Sequence, residues 1–351
     1  MRKVYLDNIR WFVILMVLVF HAVSTFCSNG SLMSYNFPGI PALDAIGYLL
    51  YPWFMPCMFV VAGISAQYSL AKKTSSQFVK DRVMRLLLPF ISYLVLIGPL
   101  VATLSFEVNN LNEVFSALPP VALFFVRVVN GMGPSWFLLQ LFVVSLVLVL
   151  VRRLDRADRL YTWAGKCGLG ILLLLYIPVL GAAQVLYIAY TFRVGLYLLL
   201  FLLGYYLFSQ ENIQRTLQTY SPLLLAGGIV LGIVQTYMSW GRPFQQVVNH
   251  WLVMLYTWIM ILAVLGAAGR WFNRSNTFTA YMTKRSYGLY YFHYVPMTYI
   301  AYWLTTGLAL PYIWNYVLVL VLSLIASIVL YEIFSRIPVL NVLFGLKKVK
   351  E

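Results

Sequence analysis

Few side chains in this sequence are equipped for chemistry, and their spacing narrows what that chemistry would be. The first apolar stretch opens Leu6-Asp7-Asn8-Ile9-Arg10 and continues to His21, an Arg10-x10-His21 spacing. On a helix of 3.6 residues per turn that interval is about three full turns. Arg10 and His21 then share one face, about 16 Å apart along the axis. Asp7, one turn before Arg10, is placed to pair with it and orient it. His21 is the candidate catalytic group, since a neutral imidazole titrates near neutrality and can take a hydroxyl proton and return it. The plainer reading makes Arg10 an interfacial anchor and His21 a hydrogen bond to a neighbouring helix.

A second cluster, Lys80-Asp81-Arg82-Val83-Met84-Arg85, precedes an apolar run. At helical spacing Arg82 and Arg85 project from one face. Two guanidinium forks side by side suit phosphate, and they equally suit a membrane surface. A third stretch, Ser286-Tyr287-Gly288-Leu289-Tyr290-Tyr291-Phe292-His293, follows Lys284-Arg285. His293 lies about 12 Å beyond Arg285 on a helix, so His21 and His293 come within about one turn in depth if both stretches run the same way. The run Tyr287 to Tyr294 could wall a groove or simply pack, and His250 reads as solvated. Cys27, Cys57 and Cys167 lie far apart without a C-x-x-C and read as packing thiols. The three histidines make no H-E-x-x-H and the acidic residues no ligand cluster, so no metal is expected. Neither a phosphate loop nor a nucleophile elbow is present.

The elements that must position these residues are transmembrane helices. Of 351 residues 62% are hydrophobic and 10% charged, against about 25% charged in soluble domains. The fold expected is an all-α, polytopic integral membrane protein, one domain over 1–351, with about ten helices in a single bundle. About 20 apolar residues cross the hydrocarbon, which places spans near 5–27, 44–70, 78–104, 134–152, 166–183, 190–209, 220–239, 247–268, 285–305 and 311–335. Pro52 and Pro56 should kink the second. Segment 114–131, broken by Pro119, Pro120 and Gly131, reads as interfacial or re-entrant. The first span is too long and too well followed by others to be a cleaved signal peptide. With the N-terminus inside and the spans alternating, every Lys and Arg falls on the inner side except Arg127, Arg193 and Arg242. That is a strong positive-inside pattern with both termini cytoplasmic. It accounts for the net charge of +15 without nucleic acid. The basic loops would face anionic lipid and an anionic cytoplasmic ligand.

Four places together resemble acyltransferase family 3, the membrane-bound O-acyltransferases that decorate bacterial surface glycans. Arg10-x10-His21 is similar to the family's Arg/Lys-x10-His motif. Arg82-Val83-Met84-Arg85 resembles its R-x-x-R motif, Pro134-Ser135-Trp136-Phe137-Leu138 its W-F-L segment, and Ser286 to His293 its S-x-G-x-Y-x-x-H segment. They stand in family order across nearly the whole chain. The opening Tyr5-Leu6-Asp7-Asn8-Ile9-Arg10 resembles the branch that includes glucan succinyltransferases. Trp11 stands where a small residue usually follows the arginine, and Ala62-Gly63 where the family has Ser-Gly. The resemblance implies a multi-pass protein of the bacterial cytoplasmic membrane. It would move an acetyl or succinyl group from cytoplasmic acyl-CoA, a donor substrate rather than a bound cofactor, to a hydroxyl of an envelope glycan. His21 would be general base or carry the acyl group itself. Arg82, Arg85 and Arg10 would bind acyl-CoA, with Asp7, Trp136 and His293 supporting or touching substrate. A secondary transporter with a histidine proton relay, or an inactive scaffold relative, are the other classes open.

The charge pattern makes a direct prediction. Single cysteines near Lys73, Arg156 and Lys348 should be shielded from a membrane-impermeant thiol reagent in intact cells, and cysteines near Asn109, Gly241 and Gly307 labelled. Labelling of Lys73 and Asn109 positions from one side would overturn the assigned alternation.

Overall fold

The computed structural model describes residues 3–27, 39–155, 157–308 and 310–346. Arg2, Arg156, Lys347, Lys348 and Lys350, all assigned above to the inner side, lie outside them. The described residues are helical, and their one β feature is an isolated bridge between Tyr187 and Arg193. The main helices are α1 Val4–Thr25, α2 Asp44–Leu70, α3 Ser75–Leu96, α4 Gly98–Val108, α5 Pro120–Asn130, α6 Trp136–Leu154, α7 Leu169–Gln184, α8 Val194–Phe208, α9 Glu211–Ser239, α10 Trp251–Trp271, α11 Thr277–Phe292, α12 Tyr294–Gly307 and α13 Tyr312–Arg336. Many of the apolar side chains are exposed. In the most apolar stretch of α13 only 22% of residues are buried, a distribution that water does not tolerate and lipid does.

Among the described residues six helices are long and apolar enough to span a membrane: α1, α2, α6, α9, α10 and α13. A seventh span is reached if α3 and α4, bent by 47° at a short break, are taken together. The all-helical class is as expected, and these six or seven do not by themselves reach the expected count of about ten. Helices α5, α7 and α8 are only 10–17 residues long. The stretch expected at 285–305 is divided at His293 between α11 and α12. Proline accounts for most of these breaks. Pro99 follows the α3–α4 bend, Pro178 lies just after the interruption within α7 at Leu175, and Pro296 lies in the first turn of α12. Each removes the N–H that would continue the ladder.

Helix α2 shows how the chain tolerates proline at membrane depth. It runs unbroken through Pro52 and Pro56, which cannot donate to the carbonyls of Tyr48 and Pro52. Side chains supply the missing donors. Gln235 Nε2 of α9 reaches the Tyr48 carbonyl at 2.9 Å, and Thr257 Oγ1 of α10 shares its one proton between the Pro52 carbonyl at 3.1 Å and the Val253 carbonyl at 2.8 Å. In hydrocarbon, freed backbone groups must find such partners because no water replaces them.

The contacts divide the chain into two compact units. The first comprises Met1–Val13, Tyr48–Val83 and Gln140–Thr283; the second comprises Ile14–Gly47, Met84–Leu139 and Lys284–Glu351. In the first, α9 packs along α10. There α2 and α8 meet so closely at Gly63 and Gly204 that a Cβ on Gly63 would lie 2.0 Å from the Phe201 carbonyl oxygen. Small residues permit that approach, as in other membrane helix pairs. It gives Gly63, the retained half of the Ala62-Gly63 pair, a packing reason. In the second unit α12 packs on α13 and α4 on α5.

Thr257→Val keeps the shape of the side chain and removes the donor to Pro52. It should destabilise the purified protein by about 1–3 kcal/mol, the cost of a buried acceptor left unmade, read as a lower unfolding temperature in detergent. Pro56→Ala restores a backbone N–H, so in that background the same substitution should cost far less. An equal loss in both backgrounds would mean that Thr257 does not serve the proline carbonyl.

Candidate active site

Helix α1 carries two of the predicted groups in different units. At its N-terminal end, in the first unit, Arg10 pairs through Nη1 with Asp7 and donates through Nη2 to Ser65 Oγ on α2. The expected Asp7–Arg10 pairing is therefore present, and Ser65 is a partner that nothing in the sequence singled out. Asn8 ties the same end of α1 to the end of α10, with Nδ2 donating to the carbonyls of Phe272 at 2.5 Å and Arg274 at 3.0 Å. Asp7 and Ser65 thus orient the Arg10 guanidinium, and Asn8 anchors the helix end that carries it.

His21, in the second unit, lies beside His293. Its Nδ1 is 2.8 Å from His293 Nε2, and the two rings are nearly parallel, 10° apart in plane. His293 is fully buried, whereas His21 keeps part of its surface accessible. His293 Nδ1 lies 2.9 Å from the Tyr290 carbonyl and 3.1 Å from the Leu289 carbonyl. Carbonyl oxygens only accept, so His293 carries its proton on Nδ1 and presents a lone pair at Nε2. His21 must then donate from Nδ1, which leaves the lone pair of His21 Nε2 available. Two backbone carbonyls thereby select the tautomer of a histidine they do not touch. A nitrogen separation of 2.8 Å is a hydrogen bond.

The helix that delivers His293 is clamped at Gly288 and Tyr290 of its motif. A Cβ on Gly288 would lie 2.1 Å from the Tyr331 ring, so only glycine lets α13 approach this closely. Tyr290 donates its hydroxyl to the Pro134 carbonyl and packs edge-on against Phe137, with centroids 5.8 Å apart. The Pro134 to Leu138 segment and the Ser286 to His293 segment, far apart in sequence, are thus joined directly. Trp136 sets its ring edge-on to Phe137 and stays half-buried. Tyr294 closes the other side of His21, edge-on at 5.5 Å.

The R-x-x-R segment departs from the helical projection that put both arginines on one face. Residues Val83–Leu87 form a π turn, which advances less per residue than an α turn, so the two side chains leave the helix in different rows. Arg82, in the first unit, is half-buried with its guanidinium 4.5 Å from the Phe78 ring centre. Arg85, in the second, is exposed, and its carbonyl accepts from the Tyr287 hydroxyl, which in turn accepts from Tyr291 at 2.8 Å. Isolated π turns occur frequently at functional sites.

One further pair was legible but unread. Arg285 Nε binds Glu332 Oε1 at 2.8 Å, with both side chains largely buried. Glu332 is the lone acidic residue of α13, and an isolated carboxylate in an apolar span signals a partner. His250 caps the start of α10, its Nδ1 accepting from Leu252 N at 3.4 Å, a local structural duty.

The fold and this site define a helical membrane protein whose second unit is organised around a bonded histidine pair. A family model for an acyltransferase domain, that of acyltransferase family 3, matches residues 3–332. The chain belongs to that family. No curated protein and no solved structure matches it.

Proposed function

We propose that this protein transfers an acyl group, acetyl or succinyl, from cytoplasmic acyl-CoA to a hydroxyl of an envelope glycan, with His21 as general base. The observation that carries the reading is the chain of bonds from the Leu289 and Tyr290 carbonyls through His293 to His21. It leaves His21 Nε2 as a positioned, accessible base. That nitrogen takes the proton of the acceptor hydroxyl as the oxygen attacks the thioester carbonyl. The tetrahedral intermediate collapses, the C–S bond breaks, and the imidazolium returns the proton to the leaving thiolate. While His21 is charged, its Nδ1–H still donates to His293, which holds the ring in place. A His21-bound acyl group is the alternative on the same atom. It is distinguished by the intact mass of protein given acetyl-CoA without acceptor.

The supporting residues follow from their positions. His293 acts through His21, since it is buried and both its nitrogens are engaged. Arg85, exposed on the π turn, is assigned to the CoA phosphates. Arg82 and Arg10 are assigned with it on residue type and family pattern. Asp7 holds Arg10, and Trp136 borders the segment tied to Tyr290. We assign the protein to the bacterial cytoplasmic membrane with both termini inside; the family resemblance and the distribution of Lys and Arg support this. The N-terminal motif favours the branch of the glucan succinyltransferases. A proton-relay transporter is less well supported, because a proton passed from His21 to His293 would meet only carbonyls beyond it.

The test is release of free CoA by purified protein given acetyl-CoA or succinyl-CoA and a panel of sugars. His21→Ala should fold, bind acyl-CoA and lose about 10² to 10⁴ in kcat, the usual contribution of a general base. His21→Gln should be nearly as slow. His293→Ala should lose less, about 10²-fold for a misplaced base, with KM for acyl-CoA unchanged. Full activity in His21→Ala would end the histidine mechanism.

Arg85→Ala should weaken acyl-CoA binding about 10- to 150-fold, and Arg85→Lys should restore only part of it because the fork is lost. Arg82→Ala serves as the parallel measurement. Unchanged affinity in folded variants would return both arginines to the role of interfacial anchors.

A further inference from the structure

Within the first unit a cavity of about 170 Å³ opens between the end of α6, the helical turn Arg159–Ala164, α7 and the second half of α8. Its walls are almost wholly apolar and include Val151, Leu160, Trp163, Leu175 and Leu203. Walls of this kind favour an apolar guest, as they do in cavities of about 150 Å³ elsewhere. Trp163 and Leu160 are exposed at its edge, so a flexible chain could enter from the side.

Two polar groups lack partners here, one on a wall residue and one on Arg152, the residue that follows the wall residue Val151. The Tyr206 hydroxyl, on a wall residue more than nine-tenths buried, has no hydrogen bond. The buried Nε of Arg152 has none either, although the Arg152 guanidinium lies 5.8 Å from the Tyr205 ring. An unbonded hydroxyl and an unbonded guanidinium N–H away from water are both costly, and both are donors. They sit on a π turn, Gly204–Phe208, and on the last turn of α6. The described residues of the segment 152–166 include Arg152, Arg153, Arg159 and Lys166 against Asp155 and Asp158. The Asp155 carboxylate is already engaged, accepting from the N–H groups of Arg159 and Leu160 at 2.9 and 3.0 Å.

An apolar cavity bordered by unmet donors and net positive charge is complementary to one class of molecule. The geometry points to a binding site for an anionic phospholipid, with an acyl chain in the cavity and headgroup phosphate oxygens accepting from Arg152 Nε and Tyr206 Oη. Basic pockets between membrane helices take lipid headgroups by this chemistry. The site uses none of the residues assigned to acyl transfer and stands or falls separately from that reading.

Trp163 supplies the probe. Full-length protein in neutral detergent is titrated with phosphatidylglycerol brominated on its acyl chains, and tryptophan quenching is followed. A saturable component should appear that is missing in Trp163→Phe. Arg152→Gln should raise the half-saturating concentration about 10- to 150-fold, and Tyr206→Phe about 2- to 10-fold. Arg152→Lys, which keeps the charge, should fall between wild type and Arg152→Gln. Brominated phosphatidylcholine, with the same chains and no net charge, should need at least about tenfold more lipid. Inorganic phosphate at the same concentrations should not displace the lipid. Equal quenching by both lipids, or an unshifted Arg152→Gln titration, would reduce the site to ordinary lipid contact. Displacement by inorganic phosphate would make it a site for a free anion, and each of these results overturns the proposal.

Discussion

The hydrogen bond between His21 and His293 is the contact on which the rest of the second unit turns. His21 by itself has no fixed tautomer, and His293 passes on the one that its carbonyl partners impose. Together, with His293 held by the Leu289 and Tyr290 carbonyls, they have one arrangement of protons, and it ends in a lone pair on the more accessible ring. That arrangement needs His293 at a particular place on its helix and a helix that does not slide. Gly288 against Tyr331 and Tyr290 against Pro134 provide the second condition. The break between α11 and α12 falls at His293 itself, within a turn of Pro296, where carbonyls are open to a side chain.

The same physics recurs away from the site. In hydrocarbon every interruption of a helix creates a backbone group that must be bonded by something other than water. At Pro52 and Pro56 the donors are Gln235 and Thr257; at the end of α10 the donor is Asn8. At the α11–α12 break the donor is a histidine, and there the repair also does chemical work by orienting a second ring. Arg193, fully buried in the first unit, reaches the Val248 carbonyl at 3.2 Å and the Met254 sulfur at 2.8 Å. It ties the loop before α8 to the start of α10. Many polar side chains of the core are thus bound to backbone.

Two π turns, Val83–Leu87 and Gly204–Phe208, interrupt otherwise α-helical segments. Each widens the helix by one hydrogen-bond step and changes the direction in which the following side chains leave. The first separates Arg82, laid on Phe78, from Arg85, turned outward. The second carries Tyr206 and Leu207, which line the apolar cavity. A regular helix would have kept the arginines in one row.

How much of this was written in the sequence depends on the range of the interaction. Membrane residence, the helical class and the family were legible, because they rest on composition and on motifs counted along the chain. The Asp7–Arg10 pair was legible because it is one turn apart on one helix. The number of uninterrupted spans was not. Apolar length counts residues, and it does not say whether a proline within a run is repaired in place, as in α2, or ends the helix, as near His293. The approach of His21 to His293 could be argued in depth but not in contact, since depth follows from position along a helix while contact depends on which helices are neighbours. The Ser65 partner of Arg10, the Pro134 partner of Tyr290 and the direction of the proton chain were beyond sequence reasoning. They join residues separated by tens to hundreds of positions, and only packing decides which backbone carbonyl a given side chain meets.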